Sequence, residues 1–282
     1  MTTLREKMKQ EMTLRGFSHG TQEQYLRAVI KLHHYYQQQS PATLNEAQIK
    51  GFLLSLLESK TYAPSTYNII VHGLKFFYEV VLKKKMIAVE LPRVKEPQKL
   101  PDILSQEEVA KIIRSTINIK HKAILMITYG AGLRASEVAS LCVQDLDRQR
   151  NMMHIRQGKG NKDRYVLLSP SMLAVLSTYW RQCRSTTKDN PLLFLGQSGE
   201  ALSGSSVGMI YKQAKHKAGI HKKGGVHALR HAFATHALES GADLYTIKQL
   251  LGHASVSSTV RYLRMTEKTM KNIQSPVEQL TI

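Results

Sequence analysis

Between Glu90 and Leu104 the sequence reads ELPRVKEPQKLPDIL, with prolines at 92, 97 and 101. A proline inside a helix removes a hydrogen bond and clashes with the carbonyl four residues back, so no helix continues through this stretch. Proline-rich chain of this kind is extended and semi-rigid. The 282 residues are thereby cut into two folding units, each long enough to bury its own core. The expected layout is a first domain at 1–85, a linker at 86–103, a second domain at 104–265 and a tail at 266–282.

The first unit has a helical period throughout. Leu4–Arg15, Thr21–Gln38, Leu44–Ser59 and Ser65–Lys83 each carry apolar residues three and four apart, separated by Gly16, Gly20, Ser40-Pro41 and Thr61–Pro64. In the second unit Ser105 and Glu108 form a capping-box pattern ahead of an apolar helix. A further helix, His121–Tyr129, ends at Gly130-Ala131-Gly132, and Arg134–Leu141 starts the next. The period then changes to alternation in Met152–Arg156 and Arg164–Leu168, which predicts a hairpin with its tip at Gly158–Asp163. After Pro170 the helical period returns. The expected fold is mainly α: an N-terminal helical domain, then an α-rich domain with one small antiparallel sheet.

Forty Lys and Arg against 21 Asp and Glu give a formal charge of +19. That excess suits a polyanion, of which nucleic acid is the commonest, although membrane-surface and heparin-type binders share it. Residues 1–100 hold 15 basic against 8 acidic residues and the remainder 25 against 13, so both units are basic. Two basic lobes suggest a clamp on a duplex, and an inert spacer between them fits the linker equally well. With 42% hydrophobic and 22% charged residues, the composition is globular rather than disordered or fibrous. Cys142 and Cys183 have no partner spacing and read as free thiols of a reducing compartment. The N-terminus lacks an apolar signal core and the longest apolar run, Ala123–Tyr129, is too short to span a bilayer, so a cytoplasmic protein without a membrane partner is expected.

Chemistry concentrates between His227 and Tyr262. His227 and Arg230, three apart at a helix start, share one face. Asp243 is the expected N-cap of a helix with an apolar face at Leu244, Ile247, Leu250 and Leu251, and Gly252-His253 forces a turn before a short helix at Val256–Arg264. Upstream, Arg134 stands in GAGLRASEV and Lys159 in GKGNKDR. Cations, imidazoles and one late tyrosine are the groups that stabilise a phosphate while a phenol attacks it. No carboxylates converge at the spacing that two-metal strand transfer requires, so no metal is expected. His231 and His236 lack metal spacing and read as structural. Each residue also has a plainer reading: His227 as a locally satisfied helix-start histidine, Arg230 as a solvated arginine, Glu137 as a solvated helix glutamate. The helix, turn and helix after Asp243 also fit a helix-turn-helix reader, with Ser255, Ser257, Ser258, Arg261 and Tyr262 as its contacts. That alternative leaves Arg134 and Lys159 unexplained.

Taken together, GAGLRASEVASL, GKGNKDR, HALRHAFATHALESG and LLGHASVSSTVRY resemble the tyrosine recombinase (phage integrase) family, nearest in wording to its Xer-type and small mobile-element members. The resemblance covers residues 104–265 by motif and residues 4–85 as the family's helical core-binding domain. It implies a catalytic set of Arg134, Lys159, His227, Arg230, His253 and Tyr262, with Glu137 bracing it. Tyr262 would attack the scissile phosphate to leave a 3′-phosphotyrosine. Arg134 and Arg230 would grip the non-bridging oxygens, and Lys159, with Lys162 as local rival, would protonate the leaving 5′-oxygen. His227 would be the acid/base partner of the tyrosine and His253 a phosphate donor. The resemblance further implies double-stranded DNA as partner, no metal, cofactor or ATP, and a homo-tetramer on paired sites, one form of which includes a paralogous recombinase. In the tail, Met270, Ile273, Val277 and Leu280 form an apolar stripe, interrupted at Pro276; the resemblance implies that it docks on a neighbouring protomer, and the plainer reading is that it folds back on its own domain. A type IB topoisomerase-like nicking-closing enzyme and an inactive DNA-binding regulator are the alternatives. Integration, excision, resolution and inversion are equally compatible with these motifs.

Overall fold

The structure, a computed structural model, describes residues 3–84, 91–95, 102–156, 163–184, 190–196, 198–253, 255, 259–260 and 262. The chain divides into two compact units, Met1–Gln98 and Lys99–Ile282. The first holds α1 (Leu4–Leu14), α2 (His19–Tyr35), α3 (Glu46–Glu58) and α4 (Pro64–Phe76). Thr3 and Asn45 start α1 and α3 with reciprocal capping boxes, and Ser18 caps α2. Pro64 occupies the first turn of α4, where a missing N–H costs nothing. The helix widens into a π-turn at Phe77–Val81, which the periodicity alone does not distinguish from a continuing α-helix. Met8, Met12, Leu32, Phe52, Tyr67, Leu74 and Tyr78 fill the core.

The proline-rich stretch is not free where it begins. Leu91 is buried, and the Asn68 side chain donates to the Val94 carbonyl at 2.9 Å while accepting from the Val94 N–H at 3.0 Å. One asparagine thus replaces the two backbone bonds that an extended segment would otherwise lack.

In the second unit, α5 (Gln106–Arg114) starts at the expected Ser105–Glu108 capping box, followed by α6 (Ile119–Gly130) and α7 (Ala135–Ser140). The sheet has three strands rather than two. β1 (Leu146–Asp147) pairs antiparallel with β2 (Met152–Ile155), which pairs antiparallel with β3 (Arg164–Leu167). In that register His154 faces Tyr165 and Ile155 faces Arg164. Two-residue β1 carries too little alternation to be visible in sequence. Met153, Ile155 and Val166 face the core, whereas Met152, Tyr165 and Leu167 face outward. Next come α8 (Pro170–Tyr179), continued by a π-turn at Trp180–Arg184, then α9 (Gly204–Lys217), α10 (His227–Glu239) and α11 (Leu244–Leu251). Asp243 caps α11 as expected, accepting from the Tyr245 and Thr246 amides at 2.9 Å each. Beyond α11, Thr259, Val260 and Tyr262 are helical. Among the described residues, no helix is long and apolar enough to cross a membrane.

Candidate active site

Arg134 is the N-cap of α7, so Glu137 three residues on reaches back to accept from its backbone N–H at 2.8 Å. The same carboxylate accepts from Arg134 Nη1 at 2.6 Å. Arg164, on β3, donates a two-pronged pair to it, Nη1 to Oε1 at 2.9 Å and Nη2 to Oε2 at 2.8 Å. Arg230 of α10 approaches Oε2 at 3.8 Å. Three guanidiniums from a helix start, a strand and a second helix therefore converge on one carboxylate. Arg230 and Glu137 are 2% and 6% exposed, which rules out their readings as solvated surface residues.

The end of α11 supplies the other anchor. Arg164 Nε donates to the Leu250 carbonyl at 2.7 Å, Arg230 Nη2 to that of Leu251, and Arg134 Nη2 to that of Gly252 at 3.4 Å. These are carbonyls at the helix C-terminus, where the backbone has no further partner and the helix carries partial negative charge. Arg230 Nη1 also donates to Gly132 O at 2.7 Å. Gly132 has φ +60, and a Cβ there would lie 2.5 Å from the Phe233 ring and 2.8 Å from Leu251. Only glycine brings that carbonyl to Arg230.

Charge and burial act together on these groups. Burial alone would raise the Glu137 pKa, but hydrogen bonds from Arg164 and Arg134 outweigh it and bring it down to about 2. Burial, then the neighbouring Arg134 charge, lowers Arg230 to about 10, against the pull of Glu137. His227, first residue of α10, has its pKa lowered by desolvation and then by Arg230 and Arg134.

Tyr262 is 2% exposed and packs with Ala234, Ile247 and Leu251. A helix-turn-helix contact residue would face solvent, so burial argues against that role for Tyr262. Its hydroxyl lies 2.9 Å from His231 Nδ1. The His253 ring lies nearly parallel to the phenol at 6.3 Å between centroids, and His253 Nδ1 is 2.8 Å from Thr259 Oγ1. His231, four residues after His227, meets that ring edge-on at 5.6 Å. Arg134, Glu137, His227, Arg230, His253 and Tyr262 are thus assembled within one unit.

Lys159 and Lys162 lie outside the described residues, as do Ser257, Ser258, Arg261 and the tail stripe Met270, Ile273, Val277 and Leu280. Two residues of the cluster were not anticipated as part of it. Arg164 closes the GKGNKDR motif, which draws attention to its lysines. His231 reads as structural, although its four-residue spacing from His227 places both rings on one face. His236, by contrast, pairs with the Tyr129 hydroxyl at 2.9 Å, in line with a structural part. Both Cys142 and Cys183 are free thiols. Among the described residues no three His, Cys, Asp or Glu side chains gather to hold a metal.

The model of the phage integrase family matches residues 102–269, and that of the phage integrase N-terminal SAM-like domain matches residues 4–88. The chain belongs to the phage integrase family. Integrase/recombinase y4qK of Sinorhizobium fredii is 40% identical over 282 residues, covering 99% of this chain and 90% of its own. Tyrosine recombinase XerD of Oceanobacillus iheyensis is 32% identical over 277 residues, covering 92% of each. In fold, the chain is similar to XerH site-specific recombinase bound to difH substrate, with TM-score 0.73 and 21% identity over 97% of this chain and 85% of that one. As a phage integrase family member, the protein is a tyrosine site-specific recombinase, and its reaction class is site-specific DNA recombination.

Proposed function

We propose that this recombinase cuts and rejoins double-stranded DNA through a 3′-phosphotyrosine at Tyr262, with no metal, cofactor or ATP. The observation that supports this reading best is the gathering of Tyr262, His231, His253, Arg134 and Arg230 around the α11 C-terminus and Glu137. The Tyr262 O–H bond breaks, its proton passing to a neighbouring imidazole as the oxygen bonds to phosphorus; the P–O5′ bond breaks, and the 5′-oxygen takes a proton from Lys159. Arg134 and Arg230 hold the non-bridging oxygens as planar forks, stabilising the charge of the transition state. Glu137 fixes their orientation. His227, beside both arginines, and His253, against the phenol, complete the phosphate's hydrogen-bond partners. The phosphotyrosine retains the energy of the broken phosphodiester, so a hydroxyl from another strand can reseal it. Two duplexes exchange four strands, which calls for a homo-tetramer on paired sites. The basic balance of both units supports a backbone-contacting DNA complex. Incubation with a nicked suicide duplex carrying the recombination site tests the reading. Wild type should form a covalent protein–DNA adduct and Tyr262→Phe none; an adduct retained by Tyr262→Phe removes Tyr262 as nucleophile.

A further inference from the structure

Tyr262 is 2% exposed, and a phenol ordinarily titrates near ~10, so at neutral pH its attack needs a base at hand. Water has little access to that oxygen. Among the described residues, His231 brings an imidazole against it, with Nδ1 2.9 Å from the hydroxyl and the two rings 5.6 Å apart. The family motifs point instead to His227, one turn earlier on α10, whose ring meets His231 edge-on. Desolvation, and then the Arg230 and Arg134 charges, lower the His227 pKa.

We infer that His231 is a further catalytic residue, the base that takes the phenol proton of Tyr262 and returns it when the strand is resealed. The inference rests on Tyr262 being the nucleophile, as proposed above. In cleavage the Tyr262 O–H bond breaks as its oxygen bonds to phosphorus, and the proton passes to Nδ1, leaving an imidazolium. The P–O5′ bond breaks with its electron pair, and the 5′-oxygen takes its own proton from Lys159. In resealing, the 5′-hydroxyl oxygen bonds to phosphorus and returns its proton to Lys159, while the tyrosinate leaves phosphorus and recovers its proton from His231. For Nδ1 to accept, the resting imidazole carries its proton on Nε2. Among the described residues, the titratable and charged groups around this pair include His227 on the same helix, His253 across the phenol ring, and the Arg134, Arg230 and Glu137 cluster. His236, further along α10, pairs with Tyr129 of α6.

A duplex with a 5′-bridging phosphorothiolate at the scissile position isolates this step, because the thiolate departs without Lys159. Single-turnover cleavage of that duplex is measured against pH for wild type, His231→Asn, His227→Gln and Tyr262→Phe, alongside DNA affinity and thermal unfolding. Asparagine offers an acceptor oxygen where Nδ1 stood but cannot take the proton. For wild type the rate should rise through the imidazole range to a plateau. For His231→Asn it should fall about 100-fold or more near neutrality, and the deficit should shrink as pH rises towards the phenol's own range. His227→Gln should keep the imidazole-range rise. A His231→Asn rate equal to or above wild type shows the contact to be a resting clasp only, and overturns the inference. So does a loss that is the same at every pH. Should the variant fail to fold, the wild-type profile decides: a rate that climbs with hydroxide through the imidazole range without a plateau also overturns it. Cleavage by Tyr262→Phe would instead remove the underlying reading, so the two failures are told apart.

Discussion

Glu137 shows how much one carboxylate can organise. It accepts from Arg134 and Arg164, lies 3.8 Å from Arg230, and is 6% exposed. Its pKa is brought down to about 2, well below the ordinary value of 4.5. A group whose folded pKa is depressed stabilises the fold above its unfolded pKa and loses that contribution as pH falls through the folded one. The window here runs from about 4.5 down to 2, and the contribution at neutral pH is on the order of 3 kcal/mol. Glu137→Gln should therefore be less stable than wild type by about 3–5 kcal/mol at pH 7, because it leaves buried guanidiniums without a countercharge. That gap should narrow as the pH is lowered to about 3, where wild type begins to lose the same carboxylate. Denaturant unfolding of both proteins at the two pH values checks this. A gap of constant size would show that the arginines do not control the Glu137 proton. Arg134 and Glu137 were legible because both stand within one short motif, three apart. The third arginine was not, since its approach to Glu137 is set by strand pairing 27 residues downstream and not by local spacing.

At the scale of elements, the sequence announced helices wherever a cap and a period coincide. Ser105 with Glu108, and Asp243 ahead of Leu244, mark helix starts that the structure keeps. It did not announce the π-turns at Phe77–Val81 and Trp180–Arg184, because a single widened turn keeps nearly the helical period. Nor did it reveal β1, where two residues cannot show alternation. The arginine cluster around Glu137 depends on such joints between elements. The α6–α7 turn presents Gly132 O to Arg230, and the C-terminus of α11 presents three successive carbonyls to three arginines. Gly132→Ala should be destabilising by about 2–5 kcal/mol, combining a left-handed backbone with a methyl group forced against Phe233. Strand cleavage should fall with it even at temperatures where the variant is folded, since the Arg230 acceptor moves. Thermal unfolding and adduct formation measured together check both parts; a variant as stable and as active as wild type would show that the turn tolerates a side chain.

Across the whole molecule, the +19 charge is shared between two units on either side of the proline-rich stretch. If both bind backbone, at least about six phosphates are neutralised, and affinity for a duplex should drop about 10³-fold or more between roughly 50 and 200 mM salt. Equilibrium binding across that range checks this, and a loss of only a few-fold would confine the contact to one small patch. The structure divides the chain between Gln98 and Lys99, inside the proline-rich stretch, and the attachment of Leu91–Lys95 to the first unit was not legible in sequence, because it depends on one asparagine, Asn68, on α4. The arginine cluster has a consequence at this scale as well. Three guanidiniums face one carboxylate, so the unliganded fold holds surplus positive charge in a largely buried place. On the proposed mechanism a phosphodiester entering there would supply the missing countercharge, and the substrate would act as a ligand of the native state. Unfolding of the second unit and occupancy by DNA would then be linked equilibria, and the free recombinase would be least stable when it has nothing to cut.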